Sequence, residues 1–116
     1  MIEAKPKLFE TIVLYHPEVE PSALDERVKK VGEVVGQHGG TMLSAHRWKK
    51  RRLAYAVKKQ EEGSYVVYRF TSDKRVLPDL DYMLRYDESC LRYLILDVAK
   101  YPGMLRGKQR AGEEQD

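Results

Sequence analysis

The order in which the chain changes its hydrophobic period limits its fold more than any other feature. Lys7 to Tyr15 (KLFETIVLY) is rich in aromatic and β-branched residues, lacks Gly and Pro, and reads as a strand. The His16-Pro17 step interrupts it, because Pro offers no ladder donor and disfavours helix at the residue before it. From Pro21-Ser22 the period becomes helical. Leu24, Val28, Val31 and Val35 fall on one side, and Asp25, Arg27, Lys29, Lys30 and Glu33 largely on the other. Ser22 and Asp25 have capping-box spacing, and Gly39-Gly40 ends the helix. Thr41 to Val57 is a long extended stretch through Met42, Leu43, Trp48, Leu53, Tyr55 and Val57. Gln60-Glu61-Glu62-Gly63 is a turn signal, and Ser64 to Thr71 (SYVVYRFT) is the clearest strand, so a hairpin is expected. A second helix starts at Ser72-Asp73 and carries Val76, Leu77, Leu80, Met83 and Leu84, with Pro78 tolerated only in its first turn. Leu91 to Val98 (LRYLILDV) is the last strand.

Strand, helix, strand, strand, helix, strand is the order of an α+β, ferredoxin-like βαββαβ fold. It implies a four-stranded antiparallel sheet with both helices on one face and the other face open to a partner. The chain of 116 residues has room for one such domain, over residues 1–101. Leu14, Val31, Leu53, Val67, Leu80 and Leu94 are expected to pack between sheet and helices. Residues 102–116 form a basic-then-acidic tail with too little apolar content to fold alone, expected to be flexible in the free protein.

Several chemistries find no support. Cys90 is the lone cysteine, so neither an internal disulfide nor a cysteine zinc site is available. His16, His38 and His46 lie in different segments without the i,i+4 spacing of a helical metal site. Gly39-Gly40 closes a helix where a phosphate loop would open one. Acylphosphatase shares the strand order but needs an Arg in a phosphate cradle after the first strand, where this chain has the acidic His16-Pro17-Glu18-Val19-Glu20. No cofactor, metal, small-molecule substrate or catalytic residue is indicated, and the chain reads as a non-enzyme. Its apolar runs are far shorter than the ~20 residues of a membrane span, and its start resembles neither a secretory signal nor a transit peptide. The chain is therefore expected to stay where it is made.

The net charge of +3 is modest, but its distribution is not even. Five of the six residues Arg47-Trp48-Lys49-Lys50-Arg51-Arg52 are basic, and Lys58 and Lys59 follow. The acids gather between Glu10 and Glu33 and between Asp73 and Glu88. Segregation of this kind is the footprint of a polyanion partner. On a regular strand alternate side chains face opposite ways. Some of these cations would then lie against the helices, so the run is expected to bulge or overhang the sheet end. Either way, cations project together beside an indole able to stack on a base.

In this run the chain resembles the bacterial small-ribosomal-subunit protein six family. Trp48-Lys49-Lys50-Arg51-Arg52-Leu53-Ala54-Tyr55-Ala56-Val57 is similar to the family's aromatic/aliphatic-Gly-basic-basic-x-Leu-Ala-Tyr-Pro-Ile. Phe9-Glu10, Gly63-x-Tyr65 and Leu91-Arg92 add to the likeness, which runs from about Leu8 to Ala99. Lys49 stands where the family has Gly, and Ala56 where it has Pro, as in a divergent member.

The resemblance implies a ferredoxin-like constituent of the small ribosomal subunit. Such a protein binds the central domain of small-subunit ribosomal RNA together with small-subunit protein eighteen. It would be cytoplasmic and ribosome-bound, the ribosome of a mitochondrion or plastid being the alternative. Arg51, Arg52, Tyr55 and Arg92 match family positions; charge and stacking add Arg47, Trp48, Lys49 and Lys50. The tail, with Tyr101, Met104, Leu105, Arg106, Lys108 and Arg110, aligns with a region that lies against the protein partner in the family. Two other readings share the strand order. One is an RNA-recognition-motif-like single-stranded RNA binder, whose third-strand signature Glu62-Gly63-Ser64-Tyr65-Val66-Val67 breaks at several places. The other is a ferredoxin-like small-ligand regulatory module, which would not need the basic run.

Overall fold

β1 (Lys7–Tyr15) is buried along both faces of most of its length, as its near-continuous apolar sequence requires of a central strand. The structure, a computed structural model, describes residues 6–100. After β1 come α1 (Pro21–Gln37), β2 (Thr41–Arg47), β3 (Arg51–Val57), β4 (Gln60–Ser72), α2 (Val76–Arg85) and β5 (Cys90–Asp97). The sheet runs β2-β4-β1-β5 with antiparallel pairing throughout, and β3 pairs with the start of β4.

Alternation along the strands sorts the two faces. Phe9, Val13 and Tyr15 of β1 and Val66, Tyr68 and Phe70 of β4 form one core with Leu24, Val31 and Val35 of α1 and Val76, Leu80 and Leu84 of α2. The register puts Phe9 opposite Phe70 and Val13 opposite Val66. Inside this layer the hydroxyls of Tyr15 and Tyr68 meet at 2.8 Å, each partnering the other where water does not reach.

Several expectations need correcting. The sheet has five strands among the described residues, not four. The stretch from Thr41 to Val57 is divided at Trp48–Lys50, because an unbroken strand would turn some of its cations into the helix layer. Of the expected core, Val31 and Leu80 do lie between sheet and helices. Leu14 and Val67 are buried but face the other side of the sheet, Leu53 is half-buried, and Leu94 is 42% exposed. In β1 and β4 it is the neighbouring residues, Val13 and Val66, that face the helices. No capping box forms: Pro21 opens α1 after Glu20, with no side-chain cap. The hairpin turn is Lys58-Lys59, both at positive φ (48° and 69°), and Gln60–Gly63 belongs to β4. Pro78 does fall in the first turn of α2, which starts at Val76 after the Asp73 carboxylate accepts the Arg75 N–H at 2.7 Å.

Truncating Leu80 to Ala should cost about 2–5 kcal/mol, and truncating Leu94 much less, as read from urea midpoints. Equal losses would contradict this assignment of faces. Burial pushes both buried phenols above their ordinary value near 10, Tyr68 to about 12. The folded state therefore holds its phenolic protons more tightly than the unfolded chain. This part of the stability is fully present below about pH 10 and is lost as pH rises toward 12 and beyond. The urea midpoint should fall over that range, and less steeply in Tyr68→Phe.

Candidate nucleic-acid interface

The basic run sits where β2 leaves the main sheet. Arg47 lies opposite Val66, which is fully buried in the helix-facing row, so Arg47 starts on the helix side. Its guanidinium turns to the Asp25 carboxylate on α1. The Trp48 N–H still donates to the Tyr65 carbonyl at 2.9 Å. Pairing resumes at Arg51 opposite Gly63. Arg47 and Arg51 are four residues apart while Val66 and Gly63 are three apart, so one residue is extra: a bulge. Lys49 and Lys50 occupy it, both exposed. Among the described residues only Lys58, Lys59 and Gly39 have positive φ, so Lys49 takes the family glycine's place without a left-handed backbone.

The bulge resets which way the run faces. Arg52 is exposed opposite Glu62, while Arg51 lies half-buried with its guanidinium 5.4 Å from the Trp48 ring centre. Trp48 also packs against Tyr65, ring centres 5.6 Å apart at 55°. The indole is thus engaged on this side by an arginine and a tyrosine.

Farther along β3, the Tyr55 hydroxyl accepts from the Arg92 guanidinium at 2.9 Å, with the guanidinium 5.6 Å from the ring centre. Arg92 is on β5, three strands away from β3, so the two long side chains lie down over the sheet between them. Below runs the open face, where Leu14 is only 1% exposed. Gly63 permits this packing, since a Cβ there would collide with Leu14 Cδ1. Ile12, Leu14, Tyr65, Arg92 and Leu94 line a shallow depression of about 300 Å³ on the same face.

The structure therefore brings together Trp48, Arg51, Tyr55 and Arg92, and holds Lys49, Lys50 and Arg52 outward beside them. Arg47 stands apart on the helix side. Tyr65 joins the site through Trp48, although the sequence marks it only within the Gly63-x-Tyr65 likeness. Tyr101, Met104, Leu105, Arg106, Lys108 and Arg110 lie outside the described residues. Elsewhere, His38 pairs with Asp79 at 2.8 Å and His16 Nδ1 accepts the Glu18 N–H at 3.2 Å. Among the described residues no group of His, Cys, Asp and Glu could hold a metal ion, and no helix is long and apolar enough to cross a membrane. Burial, with Asp87 adding to it, pushes the Cys90 thiol up to about 11, far from a reactive thiolate.

The Ribosomal protein S6 family model matches residues 8–97. The chain belongs to the ribosomal protein S6 family. It is 34% identical to small ribosomal subunit protein bS6 of Symbiobacterium thermophilum, over 79% of this chain and 97% of that one. To the protein of the same name from Geobacter sulfurreducens it is also 34% identical, over 81% of this chain and 80% of the relative. In fold it is similar to 30S ribosomal protein S6 of Thermotoga maritima, with a TM-score of 0.77 and 24% identity over 90% of this chain and 99% of the other. S6 family members are structural constituents of the small ribosomal subunit and not enzymes.

Gly63 offers a direct test of the packing under Tyr55 and Arg92. Gly63→Ala must displace Leu14 and should cost about 1–3 kcal/mol, with loss of the nuclear Overhauser contacts between Tyr55 and Arg92. A variant of wild-type stability with those contacts intact would contradict the geometry.

Proposed function

We propose that the chain binds the central domain of small-subunit ribosomal RNA together with small-subunit protein eighteen, and does so through the bulged basic run. One observation carries the reading. Lys49, Lys50 and Arg52 are exposed side by side, and among the described residues none of the three forms an ion pair. Three cations with no ion-pair partner among the described residues can neutralise phosphates and release counterions, the main sequence-independent source of nucleic-acid affinity. Arg51, laid on Trp48, and Arg92, laid on Tyr55, are cations held in place before any partner arrives, so less entropy is lost when they bind. Arg47, tied to Asp25, anchors the base of the run.

Phosphate binding is favoured over base stacking as the main contact. Trp48 already carries Arg51 and Tyr65, which leaves less ring surface than a single-stranded RNA binder of the recognition-motif kind would offer. The tail belongs to the same proposal. Tyr101, Met104 and Leu105 would lie against protein eighteen, and Arg106, Lys108 and Arg110 would reach RNA phosphate. The bacterial relatives favour a cytoplasmic ribosome for this assembly.

The test is the affinity for a central-domain RNA fragment with protein eighteen present, measured against salt. About five neutralised phosphates give a log–log slope near −4, a loss on the order of a few hundredfold between 50 and 200 mM salt. Replacing Lys49, Lys50 and Arg52 by Ala should make the slope shallower by about 2–3. Removing residues from Pro102 onward should weaken the ternary complex at unchanged domain stability. Salt-insensitive binding, or binding indifferent to the triple substitution, rules the reading out.

A further inference from the structure

β5 is an edge strand, and the row it turns toward the helices is only half covered. Tyr93, Ile95 and Asp97 lie opposite Val13, Thr11 and Phe9 of β1, on the helix side of the sheet, yet all three are half-buried. Between this row and α2 runs a groove of about 520 Å³. Phe9 and Ile95 of the sheet and Leu77 and Pro78 of α2 supply its apolar wall.

The chain leaves the described fold at the mouth of this groove. Asp97 and Lys100 both line it. Between them the chain turns: the Lys100 N–H donates to the Asp97 carbonyl at 3.0 Å, and the Ala99 N–H to the Asp97 carboxylate at 3.1 Å. Tyr101 follows, its Cα about 3.8 Å from that of Lys100, so its ring starts at the rim.

A sixth strand along the edge of β5 is the other way onward, and two facts disfavour it. Among the described residues only Lys58, Lys59 and Gly39 have positive φ, so the turn at Val98-Ala99 is not of the primed kind that closes two-residue hairpins. The Val98 N–H donates to the Leu8 carbonyl, which by alternation aims the backbone groups of Asp97 and Ile95 outward. A strand continuing from this turn would set Pro102, which has no N–H, against Ile95.

The rim suits an aromatic side chain. Its two carboxylates are engaged, Asp97 by Lys7 at 3.4 Å and Asp81 by Arg85 at 2.8 Å. Its two ammonium groups, on Lys74 and Lys100, form no ion pair among the described residues. An apolar floor under a rim of net positive charge repels Arg106, Lys108 and Arg110 and attracts the negative face of a ring. Glu113 and Glu114 would suit the ammonium groups but not the floor. Tyr101 is the one aromatic residue of the tail.

We propose that in the free chain the Tyr101 ring seats in this groove, against Leu77 and Ile95, and covers the open side of the core there. The inference concerns the chain alone and goes beyond the RNA reading. Pro102 and Gly103 then lead the rest of the tail off from a fixed root. In the complex proposed above, Met104 and Leu105 remain available to protein eighteen, and Tyr101 meets it with the outer edge of its ring. A second copy is a poor occupant, because a groove that takes one side chain falls far short of the roughly 800 Å² per partner that a stable interface buries.

The test uses the full chain, free in solution, with the methyl groups of Leu77 and Ile95 followed by NMR. Wild type should show nuclear Overhauser contacts from the Tyr101 ring to both residues and upfield ring-current shifts of their methyl signals. Tyr101→Ser should lose both effects and Tyr101→Phe should keep them. A chain ending at Tyr101 should match wild type, since the seat needs nothing beyond that residue, and dilution should change nothing. Methyl signals that are the same in wild type and in Tyr101→Ser overturn the seat. So do contacts that fade on dilution, which assign the groove to a second copy. Methyl shifts that arise only when protein eighteen is added assign it to the partner and overturn the seat as well. None of these results bears on the salt dependence of RNA binding, by which the basic run is judged.

Discussion

A β-strand shows its side chains alternately to the two faces of its sheet, and one face of this sheet is sealed by helices. A run of five cations in six residues cannot satisfy both conditions, since leaving a charge unpaired in that apolar layer costs several kcal/mol. The chain resolves the conflict at three successive positions. Arg47 is the last residue of β2 to face the helices, and it escapes burial by reaching Asp25 at the helix edge. Lys49 and Lys50 leave the ladder as a bulge. Arg51 and Arg52 re-enter pairing one register later, beyond the helix layer, where the strand borders only β4.

The rest of the site follows from this shift. Freed from the main sheet, the hairpin of β3 and β4 extends past the end of β1, whose last residue, Tyr15, is opposite Ser64. Leu14 fills the gap beneath it because Gly63 leaves room, and Tyr55 reaches Arg92 across that filled surface. The result is a surface with two chemical characters. Its rim is cationic at both ends of β3, and its floor, from Ile12 to Leu94, is partly apolar and exposed. The cationic rim is the part that the proposed RNA contact calls on.

Much of this was legible in the sequence. The element order came through because both helices and the strands around Ile12, Val67 and Leu94 have strong, distinct periods. The family was legible in Arg51-Arg52-Leu53-Ala54-Tyr55, and the need for a bulge in the charge run itself. The facing of the strands was less accessible. In β1, Leu14 and Tyr15 are both fully buried, so hydrophobicity alone does not say which one faces the helices. The turn at Lys58-Lys59 was hidden because lysine gives no turn signal, whereas Gln60–Gly63 gives a false one.

In the proposed function the bulge at Lys49–Lys50 points the basic run at RNA. Site-specific photocross-linking within assembled small subunits measures this most directly. One crosslinker would replace Lys50 and a second would replace Glu33, an exposed residue of α1, the helix on the opposite face of the sheet. Cross-links to small-subunit ribosomal RNA from position 50 and none from position 33 are the expected result. RNA cross-links from position 33 with none from position 50 would contradict it.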